Sequence, residues 1–389
     1  MNFSSEARRL MAEQGLSLRE LARRAHLDPG TLSKVLNGHR QVSPHIAAAV
    51  GGALGAREAL MQAEGVHLFD GSLSPDRRQR LEHAARYPQR PDPATADTLA
   101  AVLDAQRRAE DTLGSVAVMR PVLAQLAVVE NMVREARGPH RAAIVHQAAQ
   151  WAQFAGWLHA NTGQPDEADR RLSQALQWAL EAGDVDLISE VLSFQGHAAY
   201  LAGYPGPVIG LSRAARRDPG AYPGQLAISA AQEAKGHAME GRGREADRLL
   251  DEADELADDA RGRRDEAPPW LYYHTDGFFD LQRGEAYGYL AADPHYRAHS
   301  AAALETGYEA LPPSAQGSEW TADYLVRLAA VHARGGEAEQ ACAAAFRAAA
   351  IARQTGSARL YRMLRRSRSA LSARWPDAPC VAALADALR

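Results

Sequence analysis

Apolar positions recur at helical spacing almost from the start of the chain, and strand-like alternation is nearly absent, so the pattern predicts an all-α protein. Four or five short amphipathic helices can be read in residues 1–66. The first, about Phe3 to Gln14, stops at Gly15, a residue suited to the left-handed position after a helix. Ser17 opens S-L-R-E, a capping box in which its hydroxyl caps the amide of Glu20 and the carboxylate reaches back. Leu18, Leu21, Ala22 and Ala25 then form one apolar stripe. After a short break Asp28 caps the next helix, with Pro29 at its first position where a missing N–H does no harm. Leu32, Val35 and Leu36 face inward, and Asn37-Gly38 ends the helix. Ser43-Pro44 starts another, buried through Ile46, Val50 and Leu54.

Between residues 67 and 95 the periodicity loosens into a Pro-, Gly- and charge-rich linker, with a short helix expected around Asp76–Arg86. From residue 96 to 389 helical periodicity returns. "GQPDEADRRLSQALQWA" (Gly163–Ala179) aligns with "GRGREADRLLDEADELA" (Gly241–Ala257), and "GGEAEQACAAAFRAA" (Gly335–Ala349) is a shorter third copy. "RGEAYGYLAADP" (Arg283–Pro294) is a faint further one. Each follows a segment rich in aromatics, Ala or Gly, so the expected unit is helix, glycine turn, "EA" helix.

Two short helices across a tight turn, with small Ala22 near their crossing, make a helix-turn-helix. "LSLRELARRAHLDPGTLSKVLNG" and the following "SPHIAAAVGGALG" resemble the λ-repressor-like, XRE-type family of DNA-binding domains. The resemblance implies that the second helix of the motif enters the major groove of double-stranded DNA. It gives Lys34 a base-reading role, a lysine being able to donate to guanine O6/N7, and sets Thr31 and Ser33 on the same polar side. Ser17, Asn37 and Arg40 match positions that grip phosphates, contacts that fix register rather than sequence. Arg19, Arg23 and Arg24 either add charge to this face or lie solvated. Two departures stand out. Pro29-Gly30 replaces positions where relatives often carry a base-reading side chain. His26 takes the place of a turn glycine and is expected in the left-handed region, without a ligand role.

The later repeats resemble tetratricopeptide repeats in lengthened form, which implies twelve to fourteen helices in a right-handed α-solenoid, closed by a helix after Trp375-Pro376. Its concave face would be lined by first helices of each pair. The candidate ligand-binding residues there are Trp157, Tyr200, Gln232, Lys235, Trp270, Tyr273, Asp276, Tyr324 and Arg327. "WLYYHTDGFF" is the densest aromatic run. Aromatics at this spacing also build cores, and Lys235 also reads as a solvated lysine.

Composition changes this picture in two ways. The chain of 389 residues carries a net charge of −4, yet residues 1–66 are mildly basic and the remainder acidic, which confines nucleic-acid binding to the head. Arginine supplies nearly all the basic side chains; Lys34 and Lys235 are the two lysines. Cys342 and Cys380 make neither a disulfide framework nor a metal-ligand pattern, and read as small buried residues in a reducing compartment. There is no phosphate loop, zinc-protease motif or nucleophile elbow, and the scattered histidines, His295 and His299 included, read as surface or packing residues. The expectations are therefore no catalytic residues, no metal, no cofactor, no membrane span and a cytoplasmic location. The assembled reading is a helix-turn-helix domain (1–66), a linker (67–95) and a repeat domain (96–389). Head and repeats together resemble the peptide-responsive regulators of Gram-positive bacteria. That resemblance implies a homodimer on a palindromic operator and a repeat domain that senses a small peptide or other small molecule. The alternative is a DNA-tethered interaction scaffold without a small ligand.

Overall fold

The computed structural model describes residues 3–25, 27–37, 44–55 and 74–388; His26 and Arg40 lie outside the described residues. The described residues are helical almost throughout, with no strand among them. By contacts the chain divides into two compact units, residues 1–91 with 120–135, and residues 92–119 with 136–389.

The first unit contains helices α1 (Phe3–Glu13), α2 (Leu18–Arg24), α3 (Pro29–Leu36) and α4 (Pro44–Leu54). Their sequence dictates their ends. Gly15 takes φ 63°, the Ser17–Glu20 capping box forms in both directions, and Asp28 caps α3 through the Thr31 amide. Phe3, Leu21, Leu32 and Val50 are fully buried where α1 and α2 meet α3 and α4. Each such side chain contributes on the order of 1.5–3 kcal/mol by leaving water. Helix α5 (Pro75–Arg86), capped by Ser74, occupies the stretch where the linker's short helix is expected.

Helix α7 (Ser115–Glu135) is divided between the two units. It is long and apolar enough to cross a membrane by length and composition, with 44% of its most apolar window buried. Arg120 and Glu130 interrupt its apolar run, so it is not an uninterrupted stretch of about 20 apolar residues.

The second unit begins with α6 (Pro93–Leu113) and continues as helix pairs. α8 (Arg141–Asn161) packs along α9 (Pro165–Ala182), and α10 (Val185–Ala202) along α11 (Pro205–Ala215). α12 (Pro223–Met239) packs along α13 (Gly243–Gly262), and α14 (Phe278–Tyr289) along α15 (Pro294–Ala310). After the short α16 (Pro313–Gln316), α17 (Thr321–Gly335) packs along α18 (Ala338–Thr355). Helices α19 (Ala358–Arg374) and α20 (Pro379–Ala387) follow, the last beginning just after Trp375-Pro376 as expected. Counting from α6 to α20 gives fifteen helices, one of them only four residues long, slightly more than anticipated.

The three clearest sequence copies superimpose in register. Gly163, Gly241 and Gly336, at φ 79°, 75° and 90°, each stand two residues before a second helix. Positive φ is where glycine is favoured over residues with a Cβ. Five residues on, Ala168, Ala246 and Ala341 are all 0% exposed. The equivalent later positions, Leu172, Leu250 and Ala345, then Ala175, Ala253 and Ala348, are buried as well. These residues form the stripe that lets each second helix lie close on its partner; a Cβ at Gly156 of α8 would come 2.6 Å from Leu172 Cγ. The faint copy at Arg283–Pro294 does not join them. It falls in the first helix of its pair and the turn after it.

First helices also touch in series, α8 on α10, α10 on α12, α12 on α14 and α14 on α17, while α6 touches both α8 and α18. A clamp joins the start of this unit to its end. Ser115 N donates to Glu319 Oε2 at 3.0 Å, Asn161 Nδ2 donates to Ser115 Oγ at 2.7 Å, and Gln354 Nε2 donates to the Thr112 carbonyl at 3.4 Å.

Candidate functional site

Two regions bear on function, one in each unit. In the first, α3 presents Lys34 to solvent in its last turn, with Thr31 and Ser33 partly buried beside it. The apolar face of α3, through Leu32, Val35 and Leu36, is closed into the core, so the polar face is the side left free. The end of α3 is fastened by α1. Ser4 Oγ donates to the Val35 carbonyl at 3.2 Å, and Arg8 Nη2 donates to the Leu36 carbonyl at 3.2 Å and to Asn37 Oδ1 at 2.5 Å. Asn37 in turn reaches Ser33 Oγ at 3.4 Å.

Several head side chains are already committed to local structure. The Thr31 N–H donates to Asp28 Oδ1 at 2.7 Å, and this bond, with the Thr31 hydroxyl, holds the Asp28 carboxyl below its ordinary range. Ser17 Oγ and N both donate to Glu20 Oε2, at 2.7 and 2.9 Å, and the hydroxyl in particular lowers the Glu20 carboxyl. Lys34 is thus the most available of the described base-reading candidates, while Ser17 offers DNA chiefly the start of α2. Arg19, Arg23 and Arg24 are exposed.

The second region is a chamber of about 130 Å³, open to solvent on one side and lined by α6, α8, α10, α12, α14, α17 and the segment around Trp270–Tyr273. Its walls are mostly aromatic. Trp157 stands edge-on to Phe194 at 5.8 Å and against His197 at 5.4 Å; across the chamber Tyr273, Phe278 and Trp320 touch in series at 5.4 and 6.1 Å. Four ionisable side chains interrupt the rings: Arg107, Glu110 and Asp111 from α6, and Glu190 from α10.

Burial governs the ionisation of these groups. It pushes the carboxyls of Glu110 and Glu190 up to about 8, against the hydroxyl of Ser115 in the first case and the charge of Arg107 in the second. It brings the His197 imidazole down to about 3, with the nearby Lys235 charge acting in the same direction. Glu110 is bonded by Ser115 Oγ at 2.6 Å, and Asp111 accepts from the Tyr272 hydroxyl at 2.9 Å. Arg107 is 6% exposed, donates to Gln150 at 3.4 Å and lies 5.9 Å from the Phe154 ring centre. Among the described residues the Oε2 of Glu190, Nε2 of His197 and Nε1 of Trp270 form no well-aligned hydrogen bond, although the Gln225 amide stands by Glu190 and the Gln232 amide by His197.

Of the residues singled out in the sequence, Trp157, Gln232, Trp270, Tyr273 and Tyr324 line the chamber. Gln232 is occupied structurally, donating to the Ser193 carbonyl at 2.7 Å and Ser212 Oγ at 3.0 Å. Tyr200, Lys235 and Arg327 lie outside the lining. Lys235 is neither solvated nor free: it is 2% exposed and ion-paired with Glu285, beside the Tyr200 ring. Arg327 stacks 3.9 Å over the Tyr289 ring. Asp276 is placed away from the chamber, its side chain 82% exposed and 3.7 Å from Arg264. The run "WLYYHTDGFF" is not a first helix as expected; Trp270 and Leu271 sit in a 3-10 turn, and α14 begins only at Phe278.

Glu110, Glu190 and Arg107 were missed by sequence reasoning. Those of α6 sit in "AQRRAEDTL", which looks like an ordinary solvated face. Glu190 had a readable signal, an acid flanked by Ile188, Val191 and Leu192. The His295 and His299 rings lie 4.2 Å apart, tilted at 48°, and the described residues hold no group of three or more side chains suited to a metal ion.

No curated protein matches this chain. Residues 3–63 match the family described as a helix-turn-helix domain, which assigns the head to that class and supports its binding of DNA.

Proposed function

We propose that the protein is a sequence-specific DNA-binding transcription regulator whose paired helices are tetratricopeptide-like repeats that form a ligand sensor and dimerise. The observation that carries the DNA-binding part is the helix-turn-helix match over residues 3–63, joined to an exposed Lys34 on the free face of α3. The repeat reading is supported by the shared register of Gly163, Gly241 and Gly336 with their buried alanines. What favours a sensor over a bare scaffold is the convergence of aromatic side chains on one chamber with a few polar groups among them. Occupancy would act by shifting the populations of DNA-competent and DNA-incompetent dimers. Selection from a random duplex pool by the full chain tests the reading. Enrichment of a motif with two half-sites about one helical turn apart is the expected result. A pool that stays random would refute sequence-specific binding, and a single unpaired half-site would refute the dimer.

A further inference from the structure

We infer that the chamber is a receptor for a small organic cation with an apolar, ring-containing body, whose ammonium group sits against Glu190. This rests on the proposal that the chain senses a ligand, and names the chemical class of that ligand.

The walls supply the first argument. Trp157, Phe194, Tyr273, Phe278, Trp320 and Tyr324 come from different elements and turn toward one space. Aromatic faces attract a cation within about 6 Å of their centres, most strongly when water is excluded. The same rings take up the apolar body of the ligand.

The distribution of charge supplies the second. Three carboxyl groups line the chamber against one guanidinium, and that guanidinium is already held between Gln150 and the Phe154 ring. Of the carboxyls, Glu110 and Asp111 are bonded by Ser115 and Tyr272. Glu190 is different: it is 2% exposed, faces the Arg107 charge and the Gln225 amide, and still leaves its Oε2 without a well-formed hydrogen bond among the described residues. An unpartnered buried acceptor is costly unless something completes it. A ligand N⁺–H would do so with a charge-assisted hydrogen bond. An anionic ligand could use Arg107, but it could not supply the N–H that the Glu190 oxygen would accept. The neutral state of His197, imposed first by burial, removes a second positive charge that would oppose a cation. Burial favours the protonated Glu190 carboxyl against the opposing Arg107 charge, so an arriving ammonium displaces a proton and converts the group to its charged partner.

A matched trio of phenylbutylamine, phenylbutanol and phenylbutyrate, titrated near neutral pH into the full-length protein, separates the possibilities. Calorimetry and the fluorescence of Trp157, Trp270 and Trp320 report binding. The amine should bind at least about tenfold more tightly than the alcohol or the acid. Glu190→Gln should erase that preference by lowering the amine's affinity to that of the alcohol, with helical content and Tm confirming the fold. The inference is overturned if the acid binds most tightly, if the three bind alike, if none binds, or if Glu190→Gln keeps the preference. DNA selection is read separately: an enriched duplex without amine preference sinks the ligand class alone, and amine preference without an enriched duplex sinks the regulator reading alone.

Discussion

Lys235 of α12 and Glu285 of α14 form an ion pair whose side chains are only 2% and 4% exposed. Tyr200 of α10 completes it, donating its hydroxyl to Glu285 Oε1 at 2.6 Å while its ring centre lies 4.5 Å from Lys235 Nζ. Burial alone would raise the Glu285 carboxyl, but the charges of Lys235 and Arg327 hold it below its ordinary range. Three first helices are thereby joined by one polar cluster behind the chamber wall. Removing one partner strands the other charge, so Lys235→Met should cost about 3–5 kcal/mol in urea unfolding. The double variant Lys235→Met/Glu285→Gln should recover at least half of that loss. Equal losses for single and double variants would show that the lysine stem, not the charge pair, carries the effect.

Glu110 and Glu190 make stability depend on pH in a direction opposite to a paired carboxylate. Their folded-state values lie near 8, above the ordinary 4.5, so the folded protein binds more protons than the unfolded chain between those limits. Their contribution is complete below the unfolded value and is lost as pH rises toward about 8. Glu110→Gln/Glu190→Gln should therefore lose less Tm than the parent between pH about 5 and about 8. Parallel Tm curves would contradict it.

Gly114 closes the second unit. It takes φ 83°, and a Cβ there would come 2.7 Å from Thr355 Cβ and 2.9 Å from Glu319 Oε2. Gly114→Ala combines a strained backbone with a collision at the Ser115–Glu319 clamp. A loss of about 1–3 kcal/mol in thermal or urea unfolding is expected. Gly203, also at positive φ but with open space around it, is the control, and its alanine variant should lose less.

Lys34 is expected to read a base. Lys34→Ala should lower the preference for the selected duplex over scrambled DNA by about 1–3 kcal/mol, measured at one fixed salt concentration. An equal loss on both duplexes would make Lys34 a phosphate contact.

The features legible in the sequence are those set by neighbouring residues. The capping box at Ser17, the Asp28 cap, and the glycine-then-alanine register of α9, α13 and α18 all depend on residues within one turn or one helix. The chamber was only half legible. Trp157, Trp270, Tyr273 and Tyr324 stood out by residue type, whereas Glu110 and Glu190 look like surface acids until distant helices bury them. Lys235 was misread for the same reason, because its partner Glu285 lies in the next helix pair. Asp276 failed differently: the segment after Trp270 is a turn rather than a helix, so helical spacing placed it on a face that does not exist.

The most direct test of the account is the affinity of the full-length protein for its selected duplex and for a scrambled duplex of equal length, at the same salt. A sequence-reading helix-turn-helix head predicts a ratio of at least about a thousandfold in favour of the selected duplex. Equal affinities for the two would contradict the account.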